Sequence, residues 1–351
     1  MALLLEQGYN GTQSGGREDL SDLIANVDAK STVFTSMAKK GKKPGNVAMG
    51  WQMDKYESAQ LGGTLEGADV DMTASGVSTM ENPGQNRKLA QNYAQIFRRV
   101  FRISSLAHEI QNVAGIKSEL ANGIAKKLVE LKRDMELTFL NDQDARGDNG
   151  TVSYLTKALG SFLDADGQTG SSCAFRVDSN YYCANDLDDG GASTSTPPTA
   201  AEITEGDVQK VLQKMYEATG EIRDYDLLLG TALKRSFTGF TQSSSGSNDR
   251  LAIKTFNQGA AEKSYINVID VFEGDFGRLR LHPTTFISQS TNVRNYLGYI
   301  IPFDQVEIRY GKLPEIKELQ DNGGGPARLI EAVAALICYN PTAFGKLDCS
   351  G

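Results

Sequence analysis

The chain has 351 residues, 40% of them hydrophobic and 23% charged, a balance that excludes a disordered protein and is long enough for two domains with their own cores. A net charge of −8 excludes a surface built chiefly to grip nucleic acid, because phosphate binding needs a basic field; weak contact through a local basic strip stays open. No apolar run approaches the roughly 20 residues that cross a bilayer, and the opening "MALLLEQGYNG" lacks a basic n-region and a full h-region, so a cytoplasm-like compartment is expected.

Residues 1–16 are polar and Gly-rich and read as a flexible or partner-ordered arm. In "REDLSDLIANV" (17–27), Leu20, Leu23, Ile24 and Val27 fall at helical spacing with acidic residues in the first turn, where the helix dipole favours them. A basic segment, "KKGKKPG" (39–45), follows. "NVAMGWQMD" (46–54) then places Val47, Met49, Trp51 and Met53 on one side, the period of a half-buried strand. "QNYAQIFRRVFRIS" (91–104) alternates likewise, with Tyr93, Phe97, Phe101 and Ile103 on one face and Arg98 and Arg102 on the other. Between these arms lies a polar, Gly-rich tip that cannot bury enough apolar surface for a core of its own. A subunit reaching for a neighbour and an ordinary hairpin with a mobile loop both fit this pattern.

From Ile116 to Phe139, Ile116, Leu120, Ile124, Leu128, Leu131, Met135 and Phe139 form one helical stripe, opposed by Lys117, Lys126, Lys127, Glu130, Arg133, Asp134 and Glu136. Residues 141–201 turn to Asp, Gly, Ser, Thr and Pro, a surface insertion and a boundary. Thr204 caps a helix whose apolar side is Val208, Val211, Leu212, Met215 and Tyr216. "YDLLLG" (225–230) reads as a buried strand entering a helix over 231–240; two strands joined by a Gly-containing turn follow over 265–287, and strand-like pieces recur at 296–301, 305–310 and 329–339.

Chemistry is sparse. His108 and His282 are the only histidines, which disfavours triads and histidine metal centres, and no P-loop, dinucleotide fingerprint or nucleophile elbow occurs. Asp164 and Asp166, and Asp186, Asp188 and Asp189, lack the spaced ligand set of a calcium loop. "RGD" at Arg146 to Asp148 is read as chance. Cys338 reads as a small core hydrophobe; Cys173 and Cys183 fit reduced thiols or a local bridge in an oxidising medium. Arg98, Arg99 and Arg102, interleaved with Phe97 and Phe101, resemble a single-stranded nucleic-acid platform in pattern, but the acidic net charge favours arginines that meet carboxylates of an adjacent subunit.

The order of elements, with "GGREDLSDLIANVDAKSTVFTSMAKKGK" (15–42), "WQMD" (51–54), "ENPGQNRKLAQNYAQIFRRVFRISS" (81–105) and "ELANGIAKKLVELKRDMELTFLND" (119–142), closely resembles a family of tailed-bacteriophage major capsid, or major head, proteins. The resemblance is most specific over 15–142, weaker over 203–348 and absent across the insertion. It implies an α+β tailed-phage major capsid fold: an N-terminal arm (1–45), an E-loop (46–104), a P-domain spine helix (105–142), a surface insertion (143–202), and an A-domain (203–351) with P-domain strands returning near 265–310. The implied protein is no enzyme and carries no cofactor or metal. It self-assembles into homo-hexamers and homo-pentamers of an icosahedral head that encloses double-stranded DNA by weak contact, in a virion assembled in host cytoplasm. Further partners implied are a portal, a decoration protein and, because the arm before residue 17 is short, a separate scaffolding protein. Trp51, Tyr56, Arg98, Arg99, Arg102, Lys126 and Arg133 are the expected subunit-interface residues. An encapsulin-type compartment shares the fold and stands as one alternative; a carboxylate-based α/β enzyme is the other.

Overall fold

A computed structural model describes residues 31–56, 59, 61–69, 87–109, 118–163, 203–240, 256–257, 264–265, 269–287 and 296–348. The expected helix over 17–27, the Cys173/Cys183 pair and the acidic clusters at 164–189 lie outside them.

A short helix, α1 (Val33–Met37), leads into a two-residue strand, β1 (Lys39–Lys40). The first arm becomes β2 (Ala48–Met53), where Met49, Trp51 and Met53 alternate inward as a period of two requires; Val47, just outside the strand, stays exposed. The second arm is two strands rather than one. β3 (Lys88–Tyr93) pairs antiparallel with β2, the ladder stops at Ala94, and β4 (Gln95–Arg102) pairs instead with a strand near the C-terminus, Ala327–Cys338. The chain thereby crosses from a two-stranded ribbon into a four-stranded sheet without a turn, and the inward set changes phase at the crossing, from Ala90, Asn92 and Ala94 to Phe97.

After α2 (Ser105–Glu109) comes the long helix α3 (Glu119–Phe139), 21 residues started by Ser118, whose Oγ accepts the Ala121 N–H. Burial deepens toward its C-terminus: Ile124 and Leu128 are partly covered, whereas Leu131, Met135 and Phe139 are fully enclosed. Glu136, which the periodicity assigns to the polar face, is buried as well.

The expected surface insertion needs a larger correction over its first third. Ala145, Thr156, Lys157, Ala158 and the whole of the short helix α4 (Leu159–Leu163) are buried, so Ala145 and residues 156–163 belong to the core, while most of 146–153 stays exposed. Their polar groups are tolerated because partners are built in; Asn92 alone makes three hydrogen bonds to Thr156 and Lys157, described below.

The capped helix is α5 (Glu205–Thr219), with Thr204 and Asp207 closing a capping box and Gly220 ending it at φ 70°. Then come β5 (Arg223–Leu229), α6 (Thr231–Gly239), the small ribbon of β6 (Phe256–Asn257) and β7 (Ser264–Tyr265), β8 (Val271–Gly274), β9 (Gly277–Pro283), β10 (Leu297–Ile301), β11 (Val306–Leu319), β12 (Ala327–Cys338) and β13 (Gly345–Asp348). One five-stranded sheet runs β13-β10-β5-β9-β8. Leu227 and Leu229 of β5 face a core shared with α5 and α6, while Leu228 faces a second core with Leu297, Tyr299 and Ile301. A strand covered on both faces needs no alternation, which explains the unbroken "LLL".

The other sheet runs β1-β11-β12-β4 and packs on α3. The strands that return to the spine helix are therefore 306–338, not 265–310; β8, β9 and β10 belong to the sheet of β5. β11 is also longer than its sequence pattern, because the register shifts between Tyr310, Lys312 and Glu315 and the bulge accommodates Pro314 inside the strand.

Candidate assembly surfaces

β4 is an edge strand carrying the three arginines, and each finds an acceptor in its own chain. Arg98 Nε lies 2.7 Å from Glu331 Oε2, its register partner on β12, and Glu331 also receives Lys312 Nζ at 3.1 Å. The hydrogen bonds from Arg98 and Lys312 hold the Glu331 carboxyl below the usual carboxylate range. On the other face Arg99 forks onto Asp134 of α3, with both N–H···O distances at 2.5 Å, and Glu130, one helical turn earlier, stands 3.8 Å away. Arg102 reaches Asp321 Oδ1 at 3.4 Å and the Gly325 carbonyl at 3.3 Å. Asp321 in turn accepts the N–H groups of Gly323, Gly324 and Gly325, and the Gly325 N–H foremost holds its carboxyl low. Gly323 and Gly325 sit at φ 89° and 107°, so this loop between β11 and β12 needs glycine there. The expectation that these arginines meet carboxylates of a neighbouring subunit is thus corrected: β12, α3 and the β11–β12 loop of the same chain already present the acids.

Two buried polar contacts fasten the arms to the body. Glu136 Oε1 and Oε2 accept the backbone N–H groups of Phe34 and Thr35 at 2.7 and 2.8 Å, so a carboxylate from α3 holds the first turn of α1. Burial pushes the Glu136 carboxyl up, against the opposing pull of the N–H groups of Thr35, Phe34 and Val33. At the hairpin base, Asn92 Nδ2 donates to Thr156 Oγ1, Lys157 O and Leu336 O at 3.1, 3.2 and 2.6 Å. Its Oδ1 accepts the N–H groups of Lys157 and Tyr93 at 2.6 and 2.8 Å. This one side chain ties β3, β12 and the 143–163 segment together. Neither contact was read from the sequence; an Asn inside a strand pattern is the one signal, since Glu136 falls on the polar face of α3 beside Arg133 and Asp134.

The remaining expected interface residues separate clearly. Trp51 is a correction: it lies in the chain's own core, with its ring 6.0 Å from that of Phe162. Tyr56 is 98% exposed and Lys126 is exposed, while the half-buried Arg133 places its guanidinium 5.9 Å from the Phe286 ring centroid. His282 Nε2 lies 3.0 Å from Asp226 Oδ1. Among the described residues there is no metal-ligand cluster and no helix long and apolar enough to cross a membrane.

What the residues build is a firm two-sheet body with a latched N-terminal segment and an extended, uncovered arm, the form of a subunit that meets other subunits. Solved structures share it. The chain is similar to the capsid asymmetric unit of cyanophage A-1(L), with TM-score 0.61 and 10% identity over 97% of this chain and 99% of that one. It is also similar to the capsid asymmetric unit of cyanophage Pam1 (0.55, 12%, over 96% and 97%) and to a structure from Gordonia phage Cozz (0.55, 11%, over 97% and 92%). At such identities the likeness is one of fold, the phage major capsid fold in its α+β form. The family model described as SU10 major capsid protein matches residues 6–349, and the chain belongs to that family. It is a structural capsid protein of the virion and not an enzyme, which sets aside the compartment and carboxylate-enzyme alternatives. No curated protein matches the chain significantly.

Proposed function

We propose that the chain builds homo-hexamers and homo-pentamers of an icosahedral head around double-stranded DNA. Residues 1–45 serve as N-terminal arm, 46–104 as E-loop, 105–142 as the spine-helix region of the P-domain, and 203–351 as A-domain with its returning P-domain strands. One observation carries this reading: along 54–69, Tyr56, Leu61 and Leu65 are 98%, 106% and 83% exposed, so the chain itself does not cover them. Large apolar side chains left fully in water each forgo roughly 1.5–3 kcal/mol that a neighbouring subunit supplies, and repetition around a shell makes modest contacts collectively durable.

Tyr56, Lys126 and Arg133, with the outward sides of Arg98 and Arg102, are the interface residues in this reading; Trp51 and Arg99 act within the subunit. Assembly takes place in host cytoplasm with a scaffolding protein, a portal and a decoration protein, and the acidic chain holds DNA weakly. The part of the 143–202 insertion beyond the buried 156–163 serves as ornament, clamp or decoration-protein dock. Replacing Tyr56, Leu61 and Leu65 together by Ser tests the reading. The subunit keeps its melting temperature and loses rings and shells; shells equal to those of the unaltered chain would overturn it.

A further inference from the structure

Residues 39–43 read Lys-Lys-Gly-Lys-Lys, and all four lysines are exposed. The body holds this segment in place. β1 pairs with β11 at Glu307 and Ile308, the Gly41 N–H donates to the Ile308 carbonyl at 2.9 Å, and Glu307 accepts the Lys42 N–H. Glycine is needed at 41, because any side chain there would run into the Glu307 carboxylate. The lysines thus lie along the rim of the β1-β11-β12-β4 sheet over about 13 Å. Lys132 of α3, which lines one groove with Lys40, adds a fifth exposed charge. The acids beside this row face other donors. Glu307, the register partner of Lys39, accepts Arg309 Nε at 3.0 Å and the Tyr339 hydroxyl. Asp304, whose carbonyl lies 3.5 Å from Lys39 Nζ, turns its carboxylate to Arg223 at 2.9 Å. Glu136, one helical turn after Lys132, is taken up by the N–H groups of Phe34 and Thr35. Among the described residues none of the five lysines has a carboxylate partner, so the row keeps its positive field in a chain of net charge −8.

We infer that this rim is where the subunit touches double-stranded DNA: the phosphodiester backbone lies along Lys39, Lys40, Lys42 and Lys43 with Lys132 beside it, and the rim faces the interior of the head. The inference rests on the reading above that the chain encloses a duplex, and names the surface that meets it. Lysine ammonium groups suit phosphate as point charges, and the row carries no aromatic ring on which unpaired bases stack, unlike the arginine strand β4. An acidic protein needs an apolar anchor as well; the row supplies none, and lysine is depleted from the cores of protein interfaces. Duplex DNA carries one negative charge per roughly 1.7 Å of axis, so the row faces several phosphates and neutralises about four. Contact of that size is weak for one subunit and adds up over a shell, holding DNA to the wall without gripping it. Lysines on a sheet rim also discourage edge-to-edge pairing; loss of that role shows as aggregation, not as loss of DNA binding.

The test titrates the unassembled full-length chain against a fluorescent duplex of about 20 base pairs, read by anisotropy over roughly 50 to 200 mM salt. Changing Lys39, Lys40, Lys42 and Lys43 together to Gln weakens binding ~10-fold or more at the low-salt end. It also lowers the slope of log K against log salt by about 3 to 4, with the melting temperature unchanged. Changing Lys55, Lys88, Lys210 and Lys214 to Gln gives the same net charge and leaves affinity and slope nearly as they were. Equal losses in the two quadruple variants would reduce the effect to net charge and overturn the inference. Poly-L-glutamate bound as tightly as the duplex would assign the row to an acidic protein and overturn it too. Shells seen by negative-stain electron microscopy, with no duplex binding by the same preparation, overturn the lysine row while leaving self-assembly standing. A chain that forms neither rings nor shells removes the head reading and the inference with it.

Discussion

Glu136 and Phe34, 102 positions apart, are joined by a 2.7 Å hydrogen bond in which a buried carboxylate accepts a backbone N–H. The bond, with its companion to the Thr35 N–H, fixes where the N-terminal segment leaves the body. Phe34 then packs its ring 6.3 Å from that of Phe139 and 6.0 Å from that of Phe303. Polar latch and apolar anchor act on the same turn of α1.

Removing the latch isolates its share. Glu136→Ala leaves two enclosed N–H groups without acceptors, at a cost of about 2–4 kcal/mol, felt first as detachment of residues 31–45. Trypsin cleavage at the Lys39–Lys43 cluster, followed by mass spectrometry, is expected to quicken by one to two orders of magnitude. Unchanged cleavage rates would show that Phe34 alone holds the arm.

The same residue sets a pH dependence with a defined sign. Burial raises the Glu136 carboxyl above its ordinary value, so the docked state binds more protons than the released one. Its contribution is fully present below the ordinary glutamate value of about 4.3 and is lost as pH rises through the raised one. Arm protection measured by hydrogen exchange therefore declines across that window in the unaltered chain, and Glu136→Gln flattens the decline.

Asn92 is expected to be the most sensitive polar position at the hairpin base. Asn92→Ala strands the Lys157 and Leu336 carbonyls and the Lys157 N–H in the core, and ~3 kcal/mol or more of stability goes with them. Asn92→Asp does no better, because a carboxylate then faces two carbonyl oxygens. Urea unfolding of the unassembled subunit reads both variants; a loss below about 1 kcal/mol for either contradicts the network's assigned role.

The arginine row allows a comparison inside one strand. A double-mutant cycle on Arg99 and Asp134, whose fork is bidentate at 2.5 Å, is expected to give a coupling of about 1 kcal/mol. The same cycle on Arg102 and Asp321, a single contact at 3.4 Å between half-exposed groups, is expected near zero. Equal couplings would show that geometry does not rank these pairs.

Much of this arrangement was legible because local signals and tertiary structure agree. The Met49, Trp51, Met53 alternation, the Thr204 and Asp207 capping box and the doubly covered "LLL" of β5 each follow from periodicity or capping alone. What the sequence hid is non-local. One ladder ends before Ala94 and another begins at Gln95 only because β12 is there to receive β4. Glu136 looks solvent-facing until α1 arrives to use it, and Thr156 and Lys157 look like part of a surface loop until Asn92 satisfies them. The acceptors that the arginines find within their own chain were hidden likewise, since Glu331 lies 233 positions from Arg98.

The most direct measurement is negative-stain electron microscopy of the purified full-length chain beside size-exclusion chromatography, across a concentration series with a crowding agent. A capsid subunit gives ring-shaped hexamers and pentamers, tubes or closed shells, eluting far ahead of a 38.0 kDa monomer. A single monomeric species at every concentration, folded and stable, would contradict the account.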